Sequence, residues 1–435
     1  MNDSTAADQA DSNSDASATG PKKSSLLVIF LTVFIDLLGF GMVLPLLPIY
    51  AKDFLSDVPE GQIGLILGLL MASFSAMQFI FAPLWGRLSD RIGRRPVLMI
   101  GLASSVVFYT LFGIGTVYKS IWILFVARIG AGIAGATIST AQAYIADSTT
   151  LENRPKGMAL IGVAFGLGFT FGPLLGYLAV PSGVGDPGPW PGYAAAILSA
   201  FALGLAIFKL PESLRPDSES AVTKKFSIQG LKDTLATPSV MLVLITIFVC
   251  IFSFANFETT ISLLLKGKDG GDSPYHFTFG QVCLTYAYIG LTLVIVQGGI
   301  VRRLAGKIPE GTMAAGGALI EVLGFGLLIW GTLTESVTLL MIALPVITSG
   351  FAFMSPSLNS LLSRRSDPAK QGSILGIGQS VNSMARILGP MIGMPLFHIH
   401  PIIPFTVAAT LMGVGFVLVI VASRSGKDFV AENKS

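Results

Sequence analysis

The chain has 435 residues, of which 52% are hydrophobic and only 12% charged, with a net charge of +3. That charged share is about half of what a soluble domain carries, and mean hydropathy is +0.72. A water-soluble globule is excluded, because too little polar surface exists to cover the apolar side chains; a bundle of membrane helices has no such need. The two cysteines, Cys250 and Cys283, lie in apolar runs and give no disulfide framework. The histidines show no ligand spacing, so no metal site is expected.

Residues 1–24 are rich in Ser, Ala and Asp and lack an apolar core, which predicts a disordered cytoplasmic tail. No signal peptide precedes the first apolar run, which would act as its own insertion signal. Each membrane span needs about 20 apolar residues. Twelve such runs follow, at 26–50, 62–81, 96–116, 121–146, 157–180, 191–210, 239–265, 279–301, 312–332, 337–362, 372–397 and 401–423. The predicted fold is an all-α membrane protein with twelve transmembrane helices in two six-helix bundles, 25–210 and 239–423. A polar cytoplasmic linker, 211–238, separates them, and 424–435 forms a second tail. Within the linker, 226–235 could form a short helix lying on the membrane.

If both termini are cytoplasmic, the inner segments hold 22 of the 28 Lys and Arg residues and the outer loops hold four, Lys52, Lys119, Lys266 and Lys268. This asymmetry fixes the expected orientation in the cell membrane. The remaining two, Arg128 and Arg386, lie inside spans.

Asp36 sits ten residues into span 1, roughly 15 Å deep. A carboxylate at that depth is expensive, so it should face a cavity and could gain and lose a proton; a structural ion pair is the alternative. The densest charge cluster, GRLSDRIGRR at 86–95, reads as a tight turn between spans 2 and 3, with Gly86 and Gly93 permitting it. Its Asp90 can pair with the arginines or sit at a helix N-terminus. Asp147 ends span 4 at the same depth, within reach of Arg91 or Arg94. Arg128 needs carboxylates, carbonyls or water around it. Span 5 carries Gly168, Gly172, Pro173 and Gly176, small residues that let helices touch around a bend. Glu258 lines the outer mouth or reaches the interface, and Glu321 lies near the middle of span 9. Arg386 binds an anion or balances an acid. Gln142, Asn359, Gln379 and Asn382 are candidates for the substrate cavity or for hydrogen bonds between helices.

The halves also repeat weakly. FGPLLGYLAV in span 5 matches LGPMIGMPLF in span 11, and GGIVRRLAGK at 298–307 sits where GRLSDRIGRR sits in the first half, with Arg302 in place of Asp90.

The 86–95 segment resembles in full the loop signature of the major facilitator superfamily. ARIGAGIAGAT from Ala127 resembles its span-4 arginine–glycine motif, and GLGFTFGPLLGY (166–177) its antiporter motif. DLLGFGMVLPLLPIYA (36–51) is similar to the first span of twelve-span drug–proton antiporters, the tetracycline branch in particular. The resemblance implies alternating access without cofactors, driven by a proton gradient, with export of an amphipathic small molecule or drug. It implies proton coupling at Asp36, Arg128 and Glu321. It also implies a latch in which Gly86, Asp90, Arg91, Gly93, Arg94, Arg95 and Asp147 act at the start of span 11. The alternative is a proton symporter or facilitator for a sugar, organic anion or peptide. No phosphate-cradling loop, nucleophile–base pair or nucleic-acid motif appears, so neither an enzyme nor a nucleic-acid binder is expected; the partners are substrate, protons and the lipid bilayer, and the expected state is a monomer.

Overall fold

The structure is a computed structural model that describes residues 23–44, 46–55, 58–149, 154–181, 188–214, 238–266, 274–365 and 371–425. Most of both expected tails and the expected surface helix at 226–235 lie outside the described residues.

Helices occupy all twelve predicted spans. Eleven are long and apolar enough to cross a membrane. The exception is span 11, Gln371–Ile399, which is long enough but is interrupted by Gln379, Asn382, Ser383 and Arg386. A helix this polar needs neighbours or water along one face.

Three boundaries differ from expectation. Span 2 runs over Glu60–Ile92, 33 residues, so Gly86–Ile92 is helix and not turn. Arg, Leu and Ser all tolerate a helix. At about 1.5 Å per residue it reaches roughly 50 Å, well beyond a 30 Å hydrocarbon layer. Only Gly93 turns the chain, at φ 103°, a conformation that favours glycine, and span 3 begins at Arg94. Span 1 is split into Lys23–Val43 and Leu47–Asp53. Span 4 is split into Ile121–Gly135 and Ile138–Asp147. Near this second break, Trp85 donates its indole N–H to the Ile133 carbonyl (2.7 Å) and Gln78 donates to the Gly135 carbonyl (3.2 Å). Neighbouring helices thus satisfy backbone groups that the break would leave bare. Span 8 begins at a capping box made by Thr278 and Gln281 and carries a π-helical segment, Val294–Val301.

Spans 1–6 pack on one another, chiefly 1 with 5 and 6, 3 with 4 and 6, and 2 with 4. Spans 7–12 do likewise, chiefly 9 with 10 and 12, and 7 with 11 and 12. The two halves meet mainly through spans 2 and 11 and through spans 5 and 8. These meetings need small residues. A Cβ on Gly68 would stand 2.6 Å from the Pro390 carbonyl oxygen, and one on Gly290 would stand 2.6 Å from the Thr170 Cα. The Gly68 contact lies towards the end of the molecule remote from Gly93, roughly 37 Å along its helix from that turn. Large apolar side chains such as Trp122, Ile197 and Phe208 point outwards, as a lipid-facing surface requires.

Candidate functional site

Asp36 is partly buried where spans 1, 3 and 4 enclose a small opening lined by Thr32, Asp36, Leu98, Thr137 and Ala141. Ser199 donates its hydroxyl to Asp36 Oδ1 at 3.4 Å, and Ser105 of span 3 stands close by. Among the described residues no Lys, Arg or His pairs with it. Of the two sequence readings, then, the acid is not held in a structural ion pair. Tyr109, buried on span 3, is close enough to feel the charges of both Asp36 and Arg128.

Arg128 is 2% exposed. Its guanidinium lies over the Phe74 ring, 4.5 Å from the centroid, and its Nε has no hydrogen-bond partner among the described residues. The ring's negative face offsets part of the cost of burying this cation. Phe74 in turn packs on Phe40, which packs edge-on to Phe169, at centroid distances of 4.9 and 5.9 Å.

The charged segment at Gly93 forms a network. Arg94 is buried, and its side chain pairs with Asp90, with Asp147 (3.0 Å) and with the Ser89 hydroxyl (2.6 Å). Of the two arginines expected near Asp147, the structure brings Arg94; Arg91 stays exposed. Arg95 donates to the Ile207 carbonyl at 2.6 Å. Glu212 accepts from the backbone N–H groups of Arg94 (2.9 Å) and Arg95 (3.1 Å). Its carboxylate thereby caps the N-terminus of span 3, where the helix dipole favours negative charge. Gly86 is helical with open space around it. All these contacts lie within the first half. The side chains at the start of span 11, the expected counterpart of Asp90, lie outside the described residues.

On span 5, Gly168 and Gly172 press against span 1: a Cβ on Gly172 would stand 2.7 Å from the Gly41 Cα, and one on Gly168 would stand 3.0 Å from Leu37 Cβ. Pro173 lies inside the helix, and Gly176 faces Met42 more loosely. The motif therefore holds span 5 against span 1, while Thr170 on the same helix meets Gly290 of span 8.

In the second half, Arg386 Nη1 donates to Glu258 Oε2 at 2.6 Å, joining spans 11 and 7. Glu321 is 0% exposed, and neither carboxylate oxygen has a hydrogen-bond partner among the described residues. It sits against Gly350 of span 10. Gln142 and Gln379 are exposed and Asn382 is partly so, while Asn359 donates to the Ser355 carbonyl of its own helix.

Sequence reasoning missed Tyr109, Ser199 and Glu212, and it read Phe74 as core, lipid-facing or part of an apolar pocket, without its contact to Arg128. A tyrosine inside span 3 is a visible signal. Glu212 is not, because its partner lies 118 residues away.

A family profile described as Major Facilitator Superfamily matches residues 29–390. The chain is 29% identical over 371 residues to the class D tetracycline resistance protein of Salmonella ordonez, covering 85% of this chain and 88% of that protein. It is 28% identical over 417 residues to multidrug resistance protein 2 of Bacillus subtilis (strain 168), covering 95% and 98%. Among solved structures it is similar to the human organic anion transporter MFSD10, with 26% identity, a TM-score of 0.68, and coverage of 92% of this chain and 99% of that one.

Proposed function

This chain belongs to the Major Facilitator Superfamily, so it is a multi-pass membrane transporter of small molecules and not an enzyme; on that premise we propose that it exports an amphipathic compound in exchange for protons. The observation that carries the reading is Asp36: an acid at mid-membrane depth, beside a small opening, with a hydroxyl partner and no paired cation among the described residues. An ionised carboxylate at such depth costs about 3 kcal/mol on insertion scales unless water or a partner relieves it. A group in that position alternates between carrying and releasing a proton as its surroundings change. Arg128, with its guanidinium against the Phe74 ring and Tyr109 near both it and Asp36, adjusts the local field. Glu321 is fully buried with no hydrogen-bond partner among the described residues, which supports a structural role for it. The likeness to tetracycline and multidrug resistance proteins supports a drug-like cargo.

The arginine-rich end is proposed to face the cytoplasm, with both termini there, in the cell membrane. The end where spans 2 and 11 meet is then the outer one, so this arrangement is inward-facing. Outward opening would rock the half at 25–210 against the half at 239–423 and separate Gly68 from Pro390. Asp90 would then engage the start of span 11 while Arg94 stays bound to Asp147. The protein is proposed to act as a monomer, without a cofactor.

Purified protein in liposomes with an imposed pH gradient tests the reading. Drug movement coupled to opposite proton flow, lost in Asp36→Asn, is expected. Proton flow in the same direction as cargo would replace antiport with symport of a metabolite.

A further inference from the structure

The Arg386–Glu258 pair is unevenly exposed. The Glu258 side chain is 16% exposed and the Arg386 side chain is 40% exposed. Only one guanidinium nitrogen, Nη1, is engaged. A guanidinium carries five N–H donors in a planar fork, so the Nε and Nη2 edge is left without a partner among the described residues. Arg386 also does not stand alone. Gln379, Asn382, Ser383 and Arg386 recur at helical spacing along one face of span 11. Gln379, Asn382 and Ser383 make no hydrogen bond to another described residue. A stripe like this cannot lie against lipid, so it faces the water-filled space between the halves. Behind Glu258, Tyr286 donates its phenol O–H to the Glu258 backbone carbonyl (3.3 Å).

We propose that Arg386 is the anion-recognition residue of the transport cavity, that the cargo is an amphipathic organic anion, carboxylate or sulfonate in type, and that Glu258 is a built-in counter-anion that occupies one edge of the guanidinium when cargo is absent. The cargo's charged group docks on the free Nε–Nη2 edge in the two-point geometry that favours arginine over lysine. Gln379 and Asn382 offer it further donors. Glu258 prevents an unpaired cation in the empty cavity and competes with the arriving anion, so it sets affinity as well as charge balance. A cationic cargo meets the exposed partner of the pair, which repels it.

The proposal deepens the transporter reading and rests on it. It is tested by equilibrium binding, with no gradient applied, to the full chain in lipid nanodiscs. The probes are fluorescein as an amphipathic carboxylate, its neutral methyl ester blocked at the phenol, and tetraphenylphosphonium as an amphipathic cation. Fluorescein is expected to bind at least tenfold more tightly than the neutral ester. Arg386→Gln should remove that preference, Arg386→Lys should restore only part of it, and Glu258→Gln should strengthen fluorescein binding severalfold by removing the competitor. A gain of binding cannot come from misfolding, so the Glu258 variant keeps the test decisive even if the Arg386 variants are unstable. Equal binding of anion and ester, tetraphenylphosphonium binding that Glu258→Gln abolishes, or a Glu258→Gln protein that binds fluorescein no better would each overturn the proposal. Anion binding with this mutational pattern but no coupled proton flow in liposomes would leave the site standing and remove the antiport reading.

Discussion

The two halves solve the same problem at the arginine-rich end with opposite signs. In the first half the start of span 3 is tied to the end of span 4 by Arg94 and Asp147; in the second, the start of span 9 is tied to the end of span 10 by Glu310 and Arg364 at 2.7 Å. The position is kept and the charges are exchanged. The surroundings differ more than the pairs do. Arg94 is buried and also holds Asp90 and Ser89, whereas the Arg364 side chain is 51% exposed and reaches Glu310 across to span 9. The corresponding contrast inside the spans is between Asp36, an acid that pairs with no cation among the described residues, and Glu258, an acid paired with Arg386. A pair between two helices at this end is a packing device that either half can use; a buried network, or an acid left alone, is where the halves specialise.

The sharpest way to break the comparison is at the acids. Asp36→Asn should reduce proton-coupled transport in liposomes to background, while Glu321→Gln, sealed inside the second half, should stay within about twofold of the parent protein. Equal losses in both would mean that the two halves share the proton work. The next largest effect is expected where the halves touch. Gly68→Leu puts a side chain where a Cβ already stands 2.6 Å from the Pro390 carbonyl oxygen. Overpacking of this kind costs about 1–3 kcal/mol, so closure at that end should be disfavoured and the transport rate should fall about tenfold or more. Gly204→Leu, on span 6 with nothing within 4 Å, is the control and should change little. Comparable loss at Gly204 would remove the contact between spans 2 and 11 as the cause.

The existence and order of the helices were legible because apolar runs of about 20 residues leave little else to form. Asp36, Arg128, Glu258, Glu321 and Arg386 stood out because charge inside such runs is expensive. What they touch was not legible. Glu258 and Arg386 are 128 residues apart, and nothing local to either predicts the other, since helix partners are chosen by packing over the whole bundle. The segment at 86–92 looked like a turn because it is charged, yet charge does not end a helix; Gly93 does. The break in span 1, between Val43 and Leu47, falls where the sequence carries Pro45 and Pro48, whose missing N–H groups signal a kink; at the break in span 4, Trp85 and Gln78 on span 2 supply donors that nothing local to span 4 announces.

The smallest effects come from exchanging charges, and they test whether the two end pairs are equivalent. Glu310→Arg alone sets two cations facing each other, and adding Arg364→Glu restores an ion pair of reversed sign. Because the Arg364 side chain is half exposed, the pair is screened by water and worth about 0–1 kcal/mol, so the double variant should melt within a few degrees of the parent protein and transport normally. The same exchange in the first half, Arg94→Asp with Asp147→Arg, should fail. The new aspartate would face Asp90 and would lose the Ser89 hydroxyl bond to the guanidinium, and the new arginine could not reach Asp90 and Ser89 from the end of span 4. The guanidinium is buried although its acids are partly exposed, so mismatched charge there costs more than at the surface, and this double variant should lose stability in thermal melting and several-fold in transport. If both exchanges were tolerated equally, the network at Gly93 would be no more than a second surface pair, and the asymmetry between the halves would rest on the acids inside the spans alone.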